Sequence, residues 1–291
     1  MKGIIIVNAY SESEEYLYQA RRMKEEFEKL GVEADIIKNN RFLLYIKEGK
    51  IVSDISENDF CVYWDKDKYI LSMLEKSKMP TFNSAAAIMN CDDKMQTYIA
   101  LADNSLPLPN TLAGLLCYTE NEEIKEETIN TVEKLGYPLI VKESYGSLGQ
   151  EVFLAKNRKE LIGIMTKVKC SPHLFQEYIE SSYSRDVRII VVGKKVIGGM
   201  LRKGKNDFRS NIGSGGSAQP FELSDEMKEI AIRTAEILNL DYCGIDILFG
   251  KYSPIICEVN SNAFFYEFEK TTKINVAKEY AEYIISKIKR G

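Results

Sequence analysis

Three residues near the C-terminus carry chemistry most plainly. Asp246 lies in Gly-Ile-Asp-Ile-Leu-Phe, and Glu258 and Asn260 lie in Ile-Ile-Cys-Glu-Val-Asn. Residues two apart on a strand share a face, so Glu258 and Asn260 point together. Asp246 joins them if the two strands are paired neighbours. Two carboxylates and an amide oxygen are hard ligands that suit Mg²⁺, whose shell is usually completed by substrate phosphates. A polar face of an exposed sheet is the plainer alternative, and the apolar flanks weigh against it.

A second set surrounds Lys142. The loop Glu143-Ser-Tyr-Gly-Ser-Leu-Gly-Gln150 follows it directly and contains Ser144, Gly146, Ser147 and Gly149. Glycines let backbone N–H groups approach a phosphate closely, and the lysine adds a point charge. A strand follows the glycines where Walker and dinucleotide loops need a helix, so a plain hairpin turn explains the loop equally well on its own. Arg188, Arg202 and Arg209, with Asn211 beside the last, form a third set. Guanidinium forks grip phosphate or carboxylate in pairs, whereas each arginine alone reads as a surface ion pair.

The elements that position these residues follow from periodicity. Ile4–Val7 is a short buried strand. Residues 14–30 place Leu17, Ala20, Met23, Phe27 and Leu30 at helical steps, and Gly31 stops that helix. Strands at Asp35–Ile37 and Phe60–Trp64, a helix near Lys68–Lys76 and an apolar segment at Met79–Phe82 make residues 1–90 a small α/β unit. A helix over 92–104 starts from Asp92, and Leu106-Pro-Leu-Pro-Asn110 breaks the chain. A helix near Glu122–Lys134, strands at 136–142, 152–155 and 173–179, and a helix at 158–167 form a central block over 91–180. The block over 181–291 holds a hairpin of Val187–Val192 and Lys195–Leu201, a polar loop over 202–219, a helix at 225–238, strands at 244–249 and 254–259, and a closing helix at 275–289.

Composition excludes more than it names. The 291 residues carry 39 Lys+Arg and 43 Asp+Glu, a formal net charge of -4, without the basic excess of a dedicated nucleic-acid binder. The start Met-Lys-Gly-Ile-Ile-Ile-Val is too short an apolar run for a signal peptide. No stretch nears the roughly 18 apolar residues of a membrane helix, so a cytoplasmic protein with no membrane partner is expected. Cys61, Cys91, Cys117, Cys170, Cys243 and Cys257 form no C-x-x-C pair and read as reduced, mostly buried thiols. The single histidine, His173, excludes a multi-histidine zinc site and reads as a buried strand residue.

Taken in order, Asp93-Lys94, Leu139-Ile-Val-Lys142, the Gly146–Gly149 loop, Gln176-Glu-Tyr-Ile179, Asp186-Val-Arg188, Asp207-Phe-Arg-Ser-Asn211, Gly244-Ile-Asp-Ile-Leu248 and Glu258-Val-Asn260 resemble the ATP-grasp superfamily. Within it the chain resembles the RimK-like carboxylate–amine ligases, most strongly from about residue 90 onward. Asp207-Phe-Arg-Ser-Asn211 and Glu269-Lys-Thr-Thr272 are the most specific pieces.

The resemblance implies an α/β (α+β) ATP-grasp fold, with an N-terminal α/β domain followed by two subdomains gripping ATP. Lys94 and Lys142 would contact the phosphates, together with Ser144, Gly146, Ser147 and Gly149 of the loop. Gln176, Glu177, Tyr178 and Ile179 would meet the adenine, and Asp186 the ribose. Asp246, Glu258 and Asn260 would hold one or two Mg²⁺, with Mn²⁺ as a substitute. Arg209 and Asn211 would face the transferred phosphate and the acyl group, with Arg188 and Arg202 in the same catalytic set. The implied reaction joins a small-molecule or peptide carboxylate to an amino acid, glutamate or another, through an acyl phosphate; a homo-oligomer fits the family. Ser214 stands where a basic residue commonly sits in this family, and Ser261-Asn-Ala-Phe-Phe-Tyr266 replaces a run of small residues. These departures leave both substrates open, and Phe264 and Phe265 either pack in the core or narrow the acceptor pocket. A small-molecule kinase and a nucleotide-binding protein without turnover are the competing readings.

Overall fold

The computed structural model describes residues 1–146, 149–205, 207–210 and 215–290. Ile4–Val7 lies within β1 (Lys2–Val7), buried along its length after the first residue. Ser13 caps α1 (Glu14–Lys29) by accepting the Tyr16 backbone N–H, and Ala20, Met23 and Phe27 fall on its buried face. β2 (Glu33–Lys38) follows. β3 (Leu44–Lys47) and β4 (Lys50–Ser53) then pair as a hairpin that periodicity does not reveal, because four-residue, mostly exposed strands show no apolar face. β5 (Phe60–Trp64), α2 (Lys68–Lys76) and β6 (Thr81–Phe82) complete a parallel sheet of order β2-β1-β5-β6.

The helix expected over 92–104 is the shorter α4 (Lys94–Leu101), and a helix that the sequence did not suggest, α3 (Ala85–Asp92), precedes it. The residue that starts α4 is Asp93 rather than Asp92. Its Oδ1 accepts the N–H groups of Met95 and Gln96 at 2.9 and 3.1 Å, satisfying two of the otherwise unpaired donors of a helix start. β7 (Thr111–Ala113), α5 (Glu126–Val132), β8 (Leu139–Glu143), β9 (Val152–Ala155), α6 (Arg158–Val168) and β10 (His173–Glu177) form the central block, with an antiparallel sheet of order β7-β10-β8-β9. His173 is buried, and its Nδ1 lies 2.8 Å from the Ser171 carbonyl oxygen, so the lone histidine is a satisfied strand residue.

The last sheet, of order β13-β12-β11-β14-β15, comprises β11 (Arg185–Val192), β12 (Lys195–Lys203), β13 (Ser217–Phe221), β14 (Tyr242–Phe249) and β15 (Pro254–Asn260). Strict alternation divides its faces. Val187, Ile189, Val191, Ile245 and Ile247 pack against α7 (Asp225–Ile237), which leaves Asp186, Arg188 and Asp246 on the other side. α8 (Tyr266–Thr272), which sequence reading left as loop, and α9 (Val276–Arg290) end the chain. No helix among the described residues is long and apolar enough to cross a membrane.

The first and last segments share one core. Val7, Met23, Phe27 and Trp64 pack with Tyr242, Phe265, Phe268, Tyr280 and Ile284. Tyr242 stacks on Tyr280 at 4.9 Å between ring centroids, and Trp64 meets Tyr242 edge-on at 5.4 Å. Phe265 is therefore a core residue, whereas Phe264 remains 46% exposed. One polar side chain crosses the same boundary. Asn83 Nδ2 donates to the carbonyls of Tyr242 and Ser261 at 2.7 and 2.8 Å, and Oδ1 accepts the N–H groups of Asp241 and Tyr242 at 2.6 and 3.0 Å. That is the full capacity of a carboxamide. Asn83→Ala removes every one of these bonds in a buried setting and is expected to lower stability by about 2–5 kcal/mol, since each orphaned buried group costs about 1–3 kcal/mol. A thermal melt superimposable on that of the parent would refute this.

Candidate active site

Strand register assembles the site. Asp246 on β14 lies opposite Glu258 on β15, and Gly244 lies opposite Asn260, so Asp246, Glu258 and Asn260 share a face. A bulge follows Asp246: the next partners are Ile247 and Ile256, which leaves Cys257 out of the ladder. Across the other edge of β14, Arg188 pairs with Asp246, and beyond it Asp186 pairs with Arg202. One polar face thus runs over four strands.

Its charges are interlocked. Arg188 grips Asp246 through Nε and Nη2, both at 2.7 Å. Arg202 grips Asp186 in the same two-pronged way at 2.7 Å, and its Nη2 also reaches Asp246 Oδ2 at 2.7 Å. The Ser210 hydroxyl donates to Asp186 Oδ2. Burial alone would raise the Asp246 carboxyl; Arg188 and then Arg202 outweigh it and hold the group below the usual carboxylate range. Arg202, buried between two carboxylates, is correspondingly pushed up despite its desolvation. Of the two readings the sequence left open for each arginine, ion pairing describes Arg188 and Arg202 in this structure. Arg188 and Arg202 each hold a carboxylate, Asp246 and Asp186, and for buried Arg202 that pairing offsets the cost of desolvating a guanidinium. Asp186, expected near the ribose, is buried and bonded to Arg202 and Ser210.

The lysines face this sheet from the central block. Lys142, on β8, is buried, and among the described residues its ammonium makes no hydrogen bond or ion pair. Burial would lower it, but Tyr98, Cys257, Glu258 and Asp246 together raise it, so it stays charged at neutral pH. Lys94 opens α4; its Nζ donates to the Gly146 carbonyl at 3.0 Å, and its backbone N–H donates to the Ser144 carbonyl at 2.9 Å. Burial, with the charge of Lys142 beyond it, lowers the Lys94 ammonium against the opposing pull of Glu258. Lys94, Tyr98, Cys257 and Glu258 line one small pocket. Ser144 is buried in the strand-end turn, its N–H donating to the Pro172 carbonyl at 2.7 Å.

Arg209 reaches the glycine loop from the third block. Its Nε donates to Asp207 Oδ2 at 2.8 Å, and its Nη1 donates to the Gly149 carbonyl. Gly146 and Gly149 adopt φ of 128° and 70°, which L side chains rarely accept. At the end of β10, the Glu177 carboxylate accepts the backbone N–H and Nδ2 of Asn110, each at 2.9 Å, and Gln176 Nε2 donates to Thr111 at 2.9 Å. Tyr178 meets Phe208 edge-on at 6.5 Å, and Ile179 leads into a 3-10 turn at Glu180–Ser182. Ser147, Asn211 and Ser214 lie outside the described residues.

The donor set suits a divalent cation. Among the described residues no group of three or more His, Cys, Asp and Glu could hold a metal, so a cation here would also need an oxygen from another residue type, such as the Asn260 amide. Its Nδ2 is buried with no partner, and turning the amide puts an oxygen at that place. Glu258 makes no ion pair or hydrogen bond among the described residues, whereas Asp246 would have to share its oxygens with two arginines. Tyr98, Cys257 and Ser210 were missed as site residues. Only Tyr98 left a signal, one helical turn beyond Lys94.

Two antiparallel sheets facing each other across lysines and a carboxylate–amide set define an ATP-grasp fold. Solved structures bear this out: D-alanine–D-alanine ligase from Bacillus anthracis superposes with a TM-score of 0.75 at 17% identity, covering 100% of this chain and 98% of that one. The ATP-grasp ligase PsnB, complexed with minimal precursor, Mg and ADP, gives 0.72 at 18% identity over 99% and 98%. The chain belongs to the RimK-like ATP-grasp family, whose domain matches residues 91–284. Relatives include beta-citrylglutamate synthase B of Danio rerio, 36% identical over 76% of this chain and 54% of its own length. N-acetylaspartylglutamate synthase A of Homo sapiens is 35% identical over 76% and 56%. The chain thus spans just over half the length of these two. A probable alpha-L-glutamate ligase of Mannheimia succiniciproducens is 30% identical over 94% and 95%.

Proposed function

We propose that the chain is an ATP- and Mg²⁺-dependent carboxylate–amine ligase that forms an amide bond through an acyl phosphate, adding glutamate or another amino acid to a small-molecule or peptide carboxylate. One observation carries this reading: Lys142 and Glu258, opposite charges on facing sheets, make no direct polar contact with a described residue. Such groups are maintained for a ligand, because burying an unpaired charge is costly.

In this reading Glu258, Asn260 and Asp246 would hold Mg²⁺, which would supply positive charge against the phosphates. Lys94 and Lys142 orient the phosphates. The substrate carboxylate attacks the γ-phosphate and expels ADP, and an amine then displaces phosphate from the acyl phosphate and gives up its proton. Arg209 stabilises charge on the transferred group, and its bond to the Gly149 carbonyl ties the third block to the central one, which helps exclude water from the acyl phosphate. No nucleophilic side chain is required, since phosphoryl transfer is largely positioning and electrostatics. Residues 1–90, 91–180 and 181–291 each contribute their own sheets, although the first and third share a core.

Incubation with ATP, Mg²⁺, pooled amino acids and small carboxylates tests the reading. The expected product has the mass of two substrates less water and forms only with ATP, alongside free phosphate. A stable phosphoester, or ATP binding without turnover in every mixture, would reject it. A variant separates binding from folding. Lys142→Met should weaken ATP binding about 10–100-fold, as loss of a charged hydrogen bond does. The melting temperature should stay close to the parent's, because no described protein group loses a bonded partner. ATP titrations indistinguishable from the parent would remove Lys142 from the site.

A further inference from the structure

Cys117 and Cys170 lie far apart in the chain, yet the fold brings them together. The Cys117 N–H donates to the Lys169 carbonyl at 2.8 Å, continuing the contact in which the Gly114 N–H donates to the His173 carbonyl at 2.8 Å. Buried Lys169 fastens the same stretch from below: its Nζ donates to the carbonyls of Glu120 and Glu122. The Cys117 thiol, half-buried, donates to the Thr119 carbonyl at 3.0 Å, and Cys170 is exposed. Desolvation, and then the Cys117 thiol beside it, raise the Cys170 thiol above its ordinary value. The other four cysteines are buried or half-buried, with Cys61, Cys91 and Cys243 inside hydrophobic clusters. This pair therefore stands apart: two thiols on facing backbone segments, one open to solvent, held in register by four hydrogen bonds.

We propose that Cys117 and Cys170 form a dithiol modification site that exchanges with low-molecular-weight disulfides and closes to an internal disulfide. The exposed Cys170 thiolate attacks a sulfur of oxidised glutathione, forming a mixed disulfide and expelling one glutathione thiolate. Cys117, as its thiolate, then attacks the Cys170 sulfur and expels the second. Two protein thiols lose two protons and two electrons, and one glutathione disulfide becomes two glutathiones. The pre-set geometry makes the second step intramolecular and therefore favoured. Closure ties the segment carrying exposed Leu115, Leu116 and Tyr118 to the turn after α6.

The test treats the whole protein with oxidised glutathione at mildly alkaline pH, quenches with acid, and maps peptides without reduction. The expected result is a Cys117–Cys170 linked peptide pair, two hydrogens lighter than the reduced peptides, with the remaining cysteines free. Cys117→Ser should instead accumulate a glutathione adduct on Cys170, which shows that Cys117 resolves it. A parent protein that stops at the adduct, leaves both thiols unreacted, or links two chains would each overturn the proposal.

Discussion

Asp246→Asn abolishes substrate-dependent phosphate release and, in the same variant, lowers the melting temperature. Asp246 binds two guanidiniums, Arg188 through both oxygens and Arg202 through one. Its loss leaves half-buried Arg188 without a carboxylate and buried Arg202 with Asp186 alone. Removing one member of a buried ion pair costs about 3–5 kcal/mol, which for a chain of this size is roughly 10 °C. The turnover loss should be at least about 10²–10³-fold, the range for removing one preorganised electrostatic group. Glu258→Gln separates the two effects, since Glu258 has no described protein partner: turnover should fall and the melt should not move. ADP release within tenfold of the parent in Asp246→Asn would remove Asp246 from the metal set. The same ion pairs give a pH dependence. The Asp246 carboxyl is held low in the folded state, so its contribution is complete above the unfolded carboxylate pKa and is lost as pH falls through the lower folded value.

The second large effect is expected at Arg209. Its guanidinium lies on a loop, about a third exposed, bonded to Asp207 and to the Gly149 carbonyl. Arg209→Ala should raise the barrier by about 2.7–4 kcal/mol, as when one oxyanion-hole donor is lost, with little change in folding stability. Arg209→Lys should rescue poorly, because a lysine cannot hold the Asp207 and Gly149 contacts together in a fork. Single-turnover phosphate release within twofold of the parent would reject the assignment.

Much of this site is legible from spacing because strands encode faces. Two-residue steps place Glu258 with Asn260 and Asp186 with Arg188, and apolar neighbours mark those strands as interior. What alternation cannot state is partnership. That Arg188 belongs to Asp246 depends on the register between β11 and β14, strands far apart in sequence, while the Arg202–Asp186 pair and the bulge at Cys257 depend on the exact register within hairpins, which alternation does not fix. Short exposed elements are hidden for a different reason: β3, β4 and β7 have too few residues to show a period. At α4, adjacent Asp92 and Asp93 have the same capping chemistry, and only the backbone turn between α3 and α4 selects the second. The shared core was hidden as well, since nothing in the pattern of α9 says which distant sheet it covers.

That core has a consequence for recombination. A seam drawn near residue 90, where strand–helix alternation changes character, does not follow the packing. Trp64 lies against Tyr242, Phe265 and Tyr280, and Asn83 bonds to the backbone of Asp241, Tyr242 and Ser261. A chimera that takes its first 90 residues from another protein inherits half an aromatic cluster and a mismatched amide. To fold, the foreign piece must bring its own counterpart of α9, or the crossover must carry both ends of the chain together.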